Sequence, residues 1–231
     1  MLEQRSEKNY DGVRSFWRCP VDPLLRQTIL IYFSQKRLWP WFLLALSSLS
    51  WLVYSAAWKP YFGLVFLILF LSPLIEYFVH RYLLHFPRPE TGEKHRFWHW
   101  AMDQIHYIHH EDPKQVRYVF AEAWLIWGAV FLNIGIGWLL TWTWEGTMSF
   151  LTVTVLYYLL YEWTHWLAHS DYTPRNPYSR FMKKFHVWHH YKHESYWFGI
   201  TSPCGDWLFR SWPEPKAIAA SEMALKNRGR V

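Results

Sequence analysis

The sequence predicts an all-α integral-membrane protein, with four transmembrane helices in two hairpins and a cytoplasmic helical cap. Three observations predict it. Four apolar stretches are each long enough to cross a bilayer, which takes about 20 residues. The cations are distributed to one side of those stretches. Aromatic residues make up 21% of the chain, including 18 Trp in 231 residues, and Trp and Tyr settle where lipid meets water. The mean hydropathy of −0.13 adds that the spans alternate with a substantial polar part.

Taken in order, residues 1–38 form a polar cytoplasmic segment without a secretory signal. Within it Leu24–Leu38 reads as an amphipathic helix lying on the membrane surface. The first span is Trp39–Trp58, closed by Lys59-Pro60. The second runs from Tyr61 to about Leu84, with Pro73 expected to kink it. The third covers roughly Val119–Trp142 and the fourth roughly Thr147–Ala168, joined by a short turn around Glu145-Gly146. A polar segment, residues 85–118, separates the hairpins. Residues 39–212 are the expected catalytic membrane domain, and 213–231 a polar C-terminal tail ending in a frayed helix. Of 24 Lys and Arg, seven precede the first span, six lie between Arg81 and Arg117, ten follow the fourth span, and Lys59 stands alone in an outer turn. By the positive-inside rule both termini and the central segment are cytoplasmic. The same placement accounts for the net charge of +6 through anionic headgroups, with no nucleic acid required. Cys19 and Cys204 are far apart and outside any C-x-x-C pattern, so neither a disulfide framework nor a thiolate metal site is expected.

The chemistry lies in the histidines. Ten of the 13 fall into four groups: His80 and His85; His106, His109 and His110; His165 and His169; His186, His189 and His190. The order is pair then triplet, twice over. On an α-helix positions i, i+3 and i+4 share a face, so each H-x-x-H-H is expected to present three imidazoles in one direction. His80 and His85, five apart, would sit about 140° apart on an α-helix and so serve different ions. Tyr61 to His80 and Thr147 to His165 each span about 27–29 Å of helix, one hydrocarbon thickness. Both pairs therefore emerge at the cytoplasmic ends of the returning helices, where the triplets can meet them. Ten imidazoles suit two first-row ions with five or fewer each. His95 and His99, in an aromatic run, read as interface anchors, and His193 stays open between the two roles.

These blocks resemble the fatty acid hydroxylase/sterol desaturase superfamily of integral-membrane non-haem diiron enzymes over about residues 70–212. HRYLLH, IHYIHHEDPKQVRYVF and FHVWHHYKHESYWFGITSPCGDWLF are similar to the fatty acid 2-hydroxylase branch, with Pro113, Arg117, Phe198 to Ser202 and Asp206 matching. Phe209-Arg210-Ser211 departs from the branch's usual Phe-Gly-Thr, and no cytochrome b5-like domain precedes the core. The resemblance implies two iron ions, with zinc able to occupy such sites in purified members, and O2 as co-substrate. It implies that His80, His106, His109, His186 and His189 hold one ion, and His85, His110, His165, His169 and His190 the other.

The expected reaction is oxygen-dependent hydroxylation of a lipid acyl chain; desaturation, ether-lipid cleavage or another oxidation of a lipid or sterol-like substrate on the same centre is the alternative. A metal transporter is the distant one, disfavoured because transport sites tend to the midplane. An external donor, cytochrome b5-like, a ferredoxin or a reductase, is expected to supply electrons. Brevity and the missing haem domain point to a bacterial inner membrane. No side chain beyond the ligands is required as a catalytic base. Ligating histidines usually donate their second N–H to a carboxylate or carbonyl, and spacing nominates Glu76, Asp103, Glu162, Asp171 and Asp206. Glu122 and Asn133 are expected to bond neighbouring helices. The substrate tail is expected among spans two, three and four, with Trp98, Trp100, Trp188 and Trp197 lining or roofing its path.

Overall fold

A computed structural model of the chain describes residues 22–86 and 97–229. Among them every regular element is helical. The helix α1 (Pro23–Ser34) begins at Asp22, whose carboxylate accepts the Leu24 N–H at 2.9 Å, the usual way of satisfying a free first-turn donor. It buries Thr28 and Tyr32 and exposes Leu24, Leu30 and Phe33. The Tyr32 hydroxyl donates to the Leu159 carbonyl and the Trp166 indole to the Thr28 carbonyl. Residues 36–38 make a 3₁₀ turn into α2 (Trp39–Ser55). That helix starts on Pro40 in its first turn and stops at Ala56, which takes the left-handed conformation at φ 51°. A second 3₁₀ turn, Lys59–Tyr61, leads into α3 (Phe62–Phe78), which continues through Pro73.

The second hairpin pairs α7 (Ala123–Thr141) with α8 (Trp144–His169). Here the turn lies at Trp142, φ 52°, and Thr143, whose hydroxyl accepts the Gly146 N–H. Glu145 and Gly146 thus belong to the first turn of α8 rather than to the connection. Among the described residues between the hairpins are three short helices, α4 (Phe97–Met102), α5 (Ile108–Glu111) and α6 (Val116–Val119). After them the order closes with α9 (Pro177–Tyr191), α10 (Cys204–Leu208) and α11 (Glu222–Arg228).

Among the described residues, three helical stretches are long and apolar enough to cross a membrane: Lys36–Ser55, Lys59–Leu84 and Val116–Thr141. Their outer faces are apolar; Leu46 is 66% exposed, Phe70 75% and Phe131 70%. Such contiguous apolar surface suits hydrocarbon rather than water. The fourth long helix, α8, is less apolar because it is central. It packs against α2, α3, α7 and α9, and its buried Thr147, Ser149 and Thr152 return their hydroxyls to carbonyls four residues back, at 2.7–2.8 Å. Small polar residues allow close helix approach inside a bundle without leaving a donor unpaired.

The C-terminal residues do not behave as a free polar tail. The helix α11 is capped by Ser221 and buries Ala224 and Asn227, and it lies against α9 and α5.

Candidate metal centre

The two histidine pairs and two triplets converge into two clusters. His80, His85, His106, His110 and His189 form one; His109, His165, His169, His186 and His190 form the other. In each, one ligand atom per residue lies within 4.8 Å of all the rest. Eight of the ten side chains are buried, His85 and His169 being the half-buried ones.

The division between clusters has a plain geometric origin. Each triplet gives its i, i+4 pair to one cluster and its middle member to the other. His106 and His110 stay together while His109 crosses over; His186 and His190 stay together while His189 crosses. Adjacent residues on a helix diverge by about 100°, so each triplet straddles two sites instead of facing one. The pair His80 and His85 also differs from the sequence expectation. Val79–Leu84 is a π-helical turn, in which the His85 N–H reaches the His80 carbonyl at 3.1 Å. An i→i+5 turn stacks residues five apart, so the two rings share a cluster, 5.1 Å between centroids. A second π turn, Asp103–Tyr107, precedes α5 and presents His106. The grouping therefore differs from the one implied by resemblance, which separated His80 from His85 and joined His106 to His109.

The contacts within the clusters are all made by Nε2 atoms. His106 Nε2 lies 3.2, 2.9 and 3.0 Å from those of His80, His85 and His110. His85 to His189 and His189 to His110 are 3.0 and 3.1 Å. In the second cluster, His165 to His109, His169 to His186 and His190 to His186 are 3.0–3.1 Å. One ring nitrogen carries at most one proton, so hydrogen bonding cannot account for three neighbours around His106. A shared cation can. With metal–nitrogen bonds of about 2.1 Å, ligands at right angles stand about 3.0 Å apart, which is the spacing found. Burial, reinforced by neighbouring imidazoles, holds His106, His109, His110, His186, His189 and His190 well below the usual histidine range. Neutral rings with converging lone pairs are what a metal requires. The donor set thus fits two metal ions.

Two of the histidines are supported by backbone carbonyls. His80 Nδ1 faces the Phe198 carbonyl at 2.5 Å and His189 Nδ1 the Tyr196 carbonyl at 2.7 Å. Between them Trp197 is fully buried in the left-handed conformation, φ 58°, a strained choice for a bulky residue. Glu76 and Asp206 hold this loop. Asp206 accepts the N–H groups of Phe198 and Gly199 at 2.9 and 2.7 Å, and Glu76 those of Ile200 and Thr201 at 2.7 and 2.9 Å. Glu76 also takes the hydroxyls of Thr201 and Tyr157. A Cβ on Gly199 would sit 2.1 Å from the Ser202 carbonyl oxygen, and one on Gly205 2.3 Å from the Tyr77 ring, so both positions need glycine. At the end of α8, Lys183 donates its ammonium to the carbonyls of Leu167, Ser170 and Tyr172, tying down the turn that carries His169.

The profile of the fatty acid hydroxylase family matches residues 65–211. The chain belongs to that family. Among similar proteins, fatty acid 2-hydroxylase of Macaca fascicularis is 33% identical over 149 residues, 64% of this chain and 39% of that protein. Dihydroceramide fatty acyl 2-hydroxylase FAH2 of Arabidopsis thaliana is 30% identical over 158 residues, 63% and 59% of the two chains. Ceramide very long chain fatty acid hydroxylase SCS7 of Saccharomyces cerevisiae is 31% identical over 155 residues, 64% and 37%. This chain therefore spans well under half the length of the first and third. A solved structure of full-length Scs7p, with only the hydroxylase domain visible, has the same fold at a TM-score of 0.63 and 24% identity, covering 78% of this chain and 69% of that one.

Within this fatty acid hydroxylase fold, three of the carboxylates nominated from spacing, Glu76, Glu162 and Asp206, bond groups other than the histidines. Glu76 and Asp206 reach the histidines only through the 198–201 loop. Glu162 accepts from the Tyr158 hydroxyl and, at 3.5 Å, from the Ala121 N–H. Asp171 is exposed, and Asp103 opens the second π turn. Glu122 pairs with Arg37 at 3.0 Å, joining the segment before α2 to α7, whereas Asn133 bonds the Ala129 carbonyl of its own helix. His193 stays outside both clusters and accepts the Ser195 N–H. His95 and the side chains of Trp98 and His99 lie outside the described residues.

A cavity of about 490 Å³ lies among α2, α3, α4, α7 and α8, and His106, His109 and His165 line it. Its walls are chiefly apolar, including Leu83, Ile105, Leu125 and Leu132, and its tryptophans are Trp41 and Trp124. Trp100 stacks on Trp124, while Trp188 packs on the buried Trp197 away from this space. A separate hollow of about 430 Å³ reaches His169 between Lys114, Lys183, Asp171 and Arg228. Next to it, sharing Val187, Tyr191 and Arg228, is another lined by Lys192 and Lys216.

Proposed function

We propose that this chain is a four-span membrane hydroxylase that inserts one atom of O2 into a lipid acyl chain at a dimetal centre. One observation carries the reading: the apolar cavity is lined by histidines of both clusters, so a chain lying in it meets both metal sites. The ligands of one ion would be His80, His85, His106, His110 and His189, and those of the other His109, His165, His169, His186 and His190. Iron is the metal proposed, because the all-imidazole donor set accepts it and the reaction needs a redox-active ion. Two bound iron ions would supply oxygen activation and the oxidising power for an unactivated C–H bond.

The residues do the rest. The cavity walls exclude water and align the acyl chain, and the loop clamped by Glu76 and Asp206 fixes His80 and His189. The balance, RH + O2 + 2 e⁻ + 2 H⁺ → ROH + H2O, calls for an external electron donor. The basic hollow at His169, remote from the lipid cavity by its lining, supports an entry for electrons from a partner at the aqueous face. The names of the relatives support fatty acyl or ceramide-like substrates oxidised at the 2-position. In the membrane, α8 serves as the fourth span, and both termini lie on the cytoplasmic side with the histidines.

Lipid mass spectrometry of cells carrying the wild type or His165→Ala tests this. The reading predicts acyl species heavier by one oxygen that vanish in the variant. Species lighter by two hydrogens would instead assign desaturation, and identical lipid profiles would contradict an acyl oxidase.

A further inference from the structure

The helix α11 lies beyond the residues matched by the family profile, yet it touches the backbone of both metal clusters. The last carbonyls of any helix lack partners within it. At the end of α9, which carries His186, His189 and His190, the carbonyls of its last two residues and of Lys192, which caps it, are taken by groups around α11. The Ser221 N–H donates to Lys192 at 3.0 Å, Arg228 Nε to Tyr191 at 2.7 Å and Asn227 Nδ2 to His190 at 3.4 Å. The same Asn227 Nδ2 donates to the His110 carbonyl at 2.8 Å, in the last turn of α5. Asn227 is 2% exposed. It therefore bridges two helix ends that would otherwise leave buried carbonyls unpaired.

The two residues it bridges make the shortest ring contact between the clusters. His110 belongs to the first and His190 to the second, and their rings stack with centroids 4.1 Å apart at 23°. Any slip of α5 along α9 would shear this pair and change the separation of the two sites. We propose that Asn227 is a positioning residue that sets the register between the two metal sites by holding the His110 and His190 carbonyls together. This rests on the clusters being metal sites, as argued above. The amide is suited to the task because its NH₂ has two donors, one for each carbonyl. A carboxylate of the same shape would set negative charge against both oxygens.

The test compares Asn227→Asp and Asn227→Ala with Lys226→Ala, an exposed change on the same helix, in the full chain purified in detergent. Fe(II) is titrated into each metal-free protein, magnetic coupling between the two ions is read by Mössbauer spectroscopy, and thermal unfolding is followed without metal. Outer-shell partners of a ligand are worth roughly 10–100-fold in affinity. Both Asn227 variants should weaken binding by that order and change the coupling between the ions, with Lys226→Ala matching the wild type. A lowered melting temperature with wild-type affinity and coupling would overturn the proposal and leave Asn227 as packing. So would Asn227 variants indistinguishable from the wild type. A wild type that itself takes up fewer than two ions would bring down the two-site reading and this inference together.

Discussion

Glu76 and Asp206 are carboxylates buried close to metal-site histidines, and neither touches an imidazole. Their oxygens accept four successive backbone N–H groups, from Phe198 to Thr201, and the loop passes the constraint to His80 through the Phe198 carbonyl. Each buried donor left unpaired costs about 1–3 kcal/mol, so Asp206→Asn, which turns an NH₂ toward these groups, should lower the melting temperature and deplete the first cluster before the second. Metal analysis alongside thermal unfolding measures both. Glu162→Gln makes a contrasting case. Its carboxylate bonds Tyr158 and Ala121 rather than a histidine, so the variant should keep two ions per chain whatever its turnover. A loss of metal comparable to that of His165→Ala would show that Glu162 supports a ligand after all. Spacing nominated these carboxylates as partners of the ligating imidazoles, whereas the structure gives them other partners, in the case of Glu76 a loop 124 and 125 residues away, which proximity in sequence could not reveal.

At the scale of elements, the four histidine groups were legible because repeated spacing survives in the sequence, whereas their assignment to two clusters was not. An α-helical reading of His80 and His85 separates them by about 140°; the π turn Val79–Leu84 brings them together. Nothing in VHRYLL distinguishes the two windings, since the wider turn is fixed by where His85 must arrive. The π turn does for a five-apart pair what an ordinary α turn does for His165 and His169. Deleting the exposed Tyr82 should therefore leave an α-helical i, i+4 pair and preserve two metal ions, while inserting an alanine after Tyr82 should empty the first cluster alone. Metal stoichiometry of the two variants decides it. Deletion and insertion proving equally damaging would show that the turn's winding does not set the ligand geometry. The packing of α11 within the polar segment 213–231 was not legible for a related reason. A short polar helix has no apolar stripe to announce burial, and Asn227 is informative only once its two carbonyls are in view.

For the molecule as a whole, hydropathy placed the first three apolar stretches well. The first three spans coincide with Lys36–Ser55, Lys59–Leu84 and Val116–Thr141 to within a few residues. The proposed fourth span is the central helix α8, whose polar content reflects packing by Thr and Ser rather than exposure to water. If α8 crosses the membrane as proposed, single cysteines at Lys59 and Glu145 should label from outside intact cells, and one at Lys226 only after permeabilisation. External labelling at Lys226 would overturn the four-span topology. The placement of ten imidazoles in two sets with Nε2 spacings near 3 Å is the feature on which everything else depends. The most direct test is the metal content of the purified, active chain, measured per polypeptide. Two ions per chain, both lost when His106 and His186 are replaced together by alanine, is the predicted result; one ion or none in protein that still turns over would contradict it.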